Sequence, residues 1–186
     1  MRHYLLLIAV AAVTVVVVVA GASSSNETYG GSVSDLLLTP SDVPPSFFIA
    51  PDMDGGWTFV PDETGAPANN TYQPTEYDTA VFWKTDNNDD PVSNIIEIVG
   101  RYSSEQIGEM FSNEGWTFVP NESLEDVQLE DCKGKVRIEE SGERTYYFLD
   151  VTKKDIVIHL MATVIGDDEV DMDTLLAMAQ PILERI

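Results

Sequence analysis

One cysteine, two histidines and ten basic residues are all that 186 positions contain. Each shortage closes off a kind of chemistry. A single thiol, Cys132, permits no intramolecular disulfide, so stability has to come from packing, hydrogen bonds or bound ions. His3 lies at the very start, which leaves His159 as the one imidazole for a folded domain. One His and one Cys serve zinc poorly. A Ser-His-Asp triad would have to recruit His159, which reads as a solvent-side strand residue, and no Gly-x-Ser-x-Gly elbow occurs. There is no phosphate-binding glycine loop.

The shortage of positive charge says most about partners. Thirty-two acidic residues face ten basic ones, for a net charge of −22. Arg2 is the only charge among the first 22 residues, so the rest carries 32 acids against nine bases. A field of that sign repels nucleic acid and anionic headgroups, and neither is expected as a partner. It leaves two readings: a solvated surface suited to high salt or low pH, or attraction for cations and basic ligands.

What the chain does have begins at its start. Residues 5–22 are apolar throughout, relieved only by Thr14. Arg2 precedes them, and Ala20-x-Ala22 fits the small-x-small pattern read by a signal peptidase. Eighteen residues at about 1.5 Å each span about 27 Å, close to the roughly 30 Å hydrocarbon core of a bilayer. Cleavage after Ala22 and retention as an anchor both fit, and the valine run 15–19 favours the anchor. The placing of charge puts the C-terminal part outside the membrane in either case. No cysteine follows the run to carry a lipid.

The chain therefore divides into a signal sequence or membrane anchor at 1–22, a Ser/Gly-rich tether at 23–34, and an acidic domain at 35–186. Asn26, Asn69 and Asn121 open Asn-x-Ser/Thr sequons, which are glycosylation candidates in an exported chain. Within the domain, Thr39-Pro40-Ser41-Asp42 reads as a helical turn and Phe47-Phe48-Ile49 opens a strand. Residues 79–84 and 94–102 flank an acidic turn as a hairpin. Ser103 and Gln106 make a capping box for a short helix. Strands at 135–140, 144–152 and 155–165 form a meander. Asp171 and Asp173 start a C-terminal helix that Pro181 should kink or end. The sum is an α+β fold: a single antiparallel sheet with one or two helices packed on a face.

Two features invite a binding role. Gly56-Trp57-Thr58-Phe59-Val60-Pro61 returns later in the chain, letter for letter, as Gly115-Trp116-Thr117-Phe118-Val119-Pro120. Trp57, Phe59, Trp116 and Phe118 could pair as aromatic platforms for a glycan or peptide, or lie in the core as two similar strand ends. The second feature is Asp86-Asn87-Asn88-Asp89-Asp90. Asp86, Asn88, Asp90 and Glu97 fall on positions 1, 3, 5 and 12 of a calcium loop, but Pro91 occupies the position that needs glycine. What survives is a looser calcium contact from Asp86, Asp89 and Asp90, set against an ordinary acidic turn. No other cofactor is expected. Asp167, Asp168, Glu169, Asp171 and Asp173 form a further acidic cluster that helix capping explains.

Leu36-Leu37-Leu38-Thr39-Pro40-Ser41-Asp42-Val43-Pro44, with the closing meander and helix, resembles small membrane-tethered extracytoplasmic α+β domains of prokaryotes, including those with a PsbP/Mog1-like layout. The resemblance implies a binding role and carries over no functional residue. The sequence thus points to a non-enzymatic, surface-tethered binding or accessory domain. Its partners would be the membrane, through the N-terminal helix, and a protein, glycan or peptide. The alternatives are a secreted hydrolase working through carboxylates and a calcium-dependent surface module.

Overall fold

The computed structural model describes residues 27–49, 74–86, 91–112, 125–129, 132–166 and 169–186. These hold one antiparallel seven-stranded sheet and two α-helices. The strands are β1 (Phe48–Ile49), β2 (Glu76–Thr85), β3 (Pro91–Arg101), β4 (Glu125–Leu129), β5 (Cys132–Ser141), β6 (Arg144–Lys153) and β7 (Ile156–Ile165). Their order across the sheet is β1-β2-β3-β7-β6-β5-β4, which puts the last strand in the middle. The helices are α1 (Ser104–Met110) and α2 (Met172–Arg185), and a 3-10 turn runs over Val33–Leu36.

Alternation along β7 sets the layers. Ile156, Ile158, Leu160, Ala162 and Val164 point to one side, and none is more than 3% exposed. Their cross-strand neighbours on that side include Ile95, Val99, Leu149 and Val151, so a continuous apolar sheet face results. Helix α2 covers part of it with Leu175, Met178, Ala179, Ile182 and Leu183. Val33, Leu36, Leu38, Val43 and Phe47, from the chain ahead of β1, cover the rest. Residues expected to be tether are therefore partly packed: Val33 and the backbone from Tyr29 onward lie against the sheet, because the sheet needs a second cover beside α2.

The helices expected on one face are found on both. Helix α1 packs Met110, with Ile107 and Phe111 beside it, on Tyr102 and Val157. Val157 belongs to the odd-numbered side of β7, so α1 lies opposite α2. The capping box is formed: Ser103 Oγ accepts from Gln106 N–H, and the Gln106 side chain accepts from Ser103 N–H. Asp171 caps α2 through Thr174 N–H at 2.8 Å. The early end expected as one outcome at Pro181 does not occur, since helix continues to Arg185 with the proline inside it. Packing of Ile182 and Leu183 beyond the proline outweighs one missing backbone bond. The last carbonyls find partners instead on the β6–β7 turn: Lys153 Nζ donates to Leu183 O at 2.6 Å and Lys154 Nζ to Ile186 O at 2.5 Å.

Among the described residues no helix is long and apolar enough to cross a membrane. The run 5–22 lies outside them. Strand β4 has no counterpart among the expected elements. Its residues Glu125-Asp126-Val127-Gln128-Leu129 alternate only weakly, and its pairing with β5 identifies it.

The burial pattern makes a contrast that unfolding can read. Leu160→Ala empties a fully buried site and should cost about 2 to 5 kcal/mol. Ile138 is 53% exposed. Truncating it to alanine should change stability by about 0.5 kcal/mol or less. Urea midpoints with unchanged slope check both.

Candidate functional site

The α1 side of the sheet carries the polar chemistry. On β5, Lys133, Lys135 and Arg137 share this side because every second residue does. Registers then place Lys135 opposite Asp150, and Asp150 opposite His159, so the three form a row across β5, β6 and β7. All three are under 9% exposed, in a protein whose charges are mostly on the surface.

His159 Nδ1 and Asp150 Oδ1 are 2.5 Å apart. The distance is that of a hydrogen bond between the ring and the carboxyl. Burial pushes the Asp150 carboxyl up, against the opposing pull of the imidazole. The Tyr102 ring stands edge-on to His159 at 6.4 Å between centroids. Its phenol is pushed up to about 12, first by burial and then by the neighbouring Asp150 charge. The Asp150–His159 hydrogen bond thus sits beside the apolar cluster that α1 makes with Tyr102 and Val157. The expectation for His159 was the solvent side of its strand. It is buried instead, because α1 and Tyr102 roof that side of β7.

At the β5 end of the row lies a recess of about 290 Å³. Asp126, Val127 and Gln128 of β4, Lys133, Gly134 and Lys135 of β5, and Phe111 line it. Lys135 Nζ reaches Asp126 at 3.3 Å, and that carboxylate is 83% exposed. Lys133 is exposed and makes no ion pair among the described residues. Among the described strands β4 is the outer one beyond β5, and its residues Asp126, Val127 and Gln128 line the recess. Arg137 stacks over the Phe148 ring at 5.5 Å and pairs with Glu139. The stack is a cation–π contact.

Cys132 is 2% exposed and lies on the α2 side of β5, across the sheet from His159. A Cys-His nucleophilic pair is therefore not assembled. Among the described residues Glu97 and Asp150 are the two carboxyls raised by burial, and they too stand on opposite sides of the sheet. They do not form the paired acids of a glycosidase.

The residues singled out from sequence fall largely elsewhere. Trp57, Phe59, Trp116, Phe118, Asp89, Asp90, Asn26, Asn69 and Asn121 lie outside the described residues. Asp86 is exposed at the end of β2. Among the described residues no three His, Cys, Asp or Glu side chains gather as a metal site. Asp171 caps α2 and is held below the usual carboxylate range by the hydroxyl and N–H of Thr174. Sequence reasoning missed the Asp150–His159 pair. Its signal was present: both residues sit at strand positions flanked by apolar residues, on either side of a tight two-residue turn.

No protein-family model matches this chain, and a search of curated proteins finds no similar sequence.

The buried pair has a measurable signature. Asp150→Ala leaves an imidazole without its partner in a roofed site and should cost about 3 to 5 kcal/mol. Replacing both residues, Asp150→Leu with His159→Leu, should recover part of that loss. A double-mutant cycle by urea unfolding at pH 7 tests the coupling.

Proposed function

We propose that this chain is a non-enzymatic, surface-tethered extracytoplasmic binding or accessory domain. The observation that carries the reading is the recess on β4 and β5, where the outer described strand lies next to a lysine outside any described ion pair. An extended peptide can add to such an edge through its backbone, while an adjacent pocket selects one side chain. Lys133 supplies a donor for an acidic or polar side chain, and Phe111 supplies an apolar wall. A peptide segment of a partner protein is thus the favoured ligand. Export and tethering rest on the apolar run ahead of the domain.

The hydrolase alternative draws less support, because the two raised carboxyls are buried and separated by the sheet. A calcium role would have to rest on Asp86 with Asp89 and Asp90.

Peptides selected by display against the full exported part provide the test. Amide shifts on titration should saturate and cluster at residues 125–129 and 133–135. Lys133→Glu should weaken the selected peptide at least tenfold while leaving the melting temperature unchanged. Shifts confined to the α2 side would overturn the proposed site. Turnover of a chromogenic glycoside, lost in Asp150→Asn, would replace the binding reading with the hydrolase.

A further inference from the structure

Residues 29–47 cross the apolar sheet face as a strap, and its backbone is gripped by side chains that carry or can carry charge. Tyr29 N–H donates to Asp155 at 2.7 Å, Val33 N–H to Glu76 at 3.2 Å and Leu38 N–H to Glu97 at 2.7 Å. Arg101 donates to Tyr29 O at 2.9 Å and Gly31 O at 2.8 Å. Arg185 donates to Leu36 O at 3.3 Å and Leu37 O at 3.0 Å.

Glu97 differs from the other grips. Asp155 and Glu76 are both paired with Arg101, at 2.6 and 3.1 Å. Glu97 is 0% exposed and stands on the apolar side of β3 between Ile95 and Val99, opposite Ala80 and Leu160. Its Oε2 accepts from the strap, and its Oε1 has no hydrogen-bond partner among the described residues. The charged groups acting on it are Arg185 of α2, Asp42 of the strap and Asp78 of β2, while β7 presents only Leu160. Arg185 is already engaged with Asp42 and the strap carbonyls. One cation against two acids cannot balance an ionised carboxylate in an apolar layer.

We propose that the strap is a proton-gated latch, closed over the sheet while Glu97 keeps its proton and released when that proton is lost. The geometry sets the direction. With the strap closed, Glu97 is shut away from water, which pushes its carboxyl up to about 8, with Leu38 N–H and Arg185 pulling the other way. With the strap lifted, the carboxyl is hydrated and ionises near its ordinary value of 4.5. Opening therefore releases a proton between those limits, and rising pH drives it. The opening constant should climb about tenfold per pH unit from about 4.5 to about 8 and level off above. Lifting the strap uncovers the apolar ledge beneath Leu36, Leu38 and Phe47. It also lengthens the chain between the run at 5–22 and the sheet, so the latch would set both the reach of a tethered domain and a second surface.

Amide hydrogen exchange on the full exported part tests this. After correction for intrinsic rates, Leu38 and its strap neighbours should exchange about tenfold faster per pH unit between pH 5.5 and 7.5. Glu97→Gln keeps the acceptor and cannot ionise, so its strap exchange should be flat with pH. Glu97→Leu, which fills the site without any acceptor, should also be flat but faster at pH 5.5. Equal pH slopes in wild type and Glu97→Gln would overturn the latch. So would an equal acceleration of the β7 amides, which reports unfolding of the whole sheet. Peptide binding at the β4 edge is read separately by Lys133→Glu, so either idea can fail alone.

Discussion

The apolar side of β7 has to be kept from water, and the rest of the described structure is arranged around that need. Five side chains from Ile156 to Val164, with their neighbours on β3 and β6, make a face wider than one fourteen-residue helix can roof. Helix α2 covers the β6 and β7 part, and the strap covers β2 and β3. The strap has only a single 3-10 turn of regular structure. Most of its backbone groups cannot satisfy one another as they would in a helix or sheet. Buried N–H and C=O groups must still be bonded, so side chains from the sheet and from α2 take that role.

Charged groups are suited to the task because their hydrogen bonds are the stronger kind. Arg101 joins four partners through one planar fork: Glu76, Asp155 and two strap carbonyls. A lysine could not offer that geometry. Arg185 does the same from the end of α2, where its charge also suits the negative pole of the helix. Hydrogen bonds from Val33 N–H and from Arg101 hold the Glu76 carboxyl low, while Glu97, lacking a neighbouring cation of its own, is held high. The same role in the fold thus yields opposite proton affinities, decided by solvent and by the nearest guanidinium.

The other side of the sheet solves a smaller covering problem. Helix α1 packs on Tyr102 and Val157, and beyond it the strands present a mixed surface in which Ile96, Ile98, Phe148 and Met161 share the side of Asp150 and His159. The row from Lys135 through Asp150 to His159 lies under that half-cover, where each group needs a bonded neighbour to be tolerated. Toward β4 the cover gives out, and the row opens into the recess by Lys133.

How far the sequence went is visible in particular residues. The hairpin around the acidic turn, the meander, the capping box and the Asp171 cap were all legible, because each rests on local periodicity or on a side chain bonding within three residues. The α+β class followed from their order. The early end that Pro181 allowed did not occur, since propensity is local and the packing of Ile182 and Leu183 is not. The placing of the two helices on opposite faces depended on which side of β7 each one met. Glu97 was read only as a calcium-loop position, although Ile95 and Val99 on either side already marked its strand face as core. The sequence by itself determined the strong negative charge, the lack of disulfide chemistry and the alternation that makes one face of the sheet apolar. Only the tertiary structure decided that residues 29–47 would complete the cover and that Glu97 and His159 would be shut away from water. Those outcomes depend on contacts between residues far apart in the chain, which no local pattern encodes.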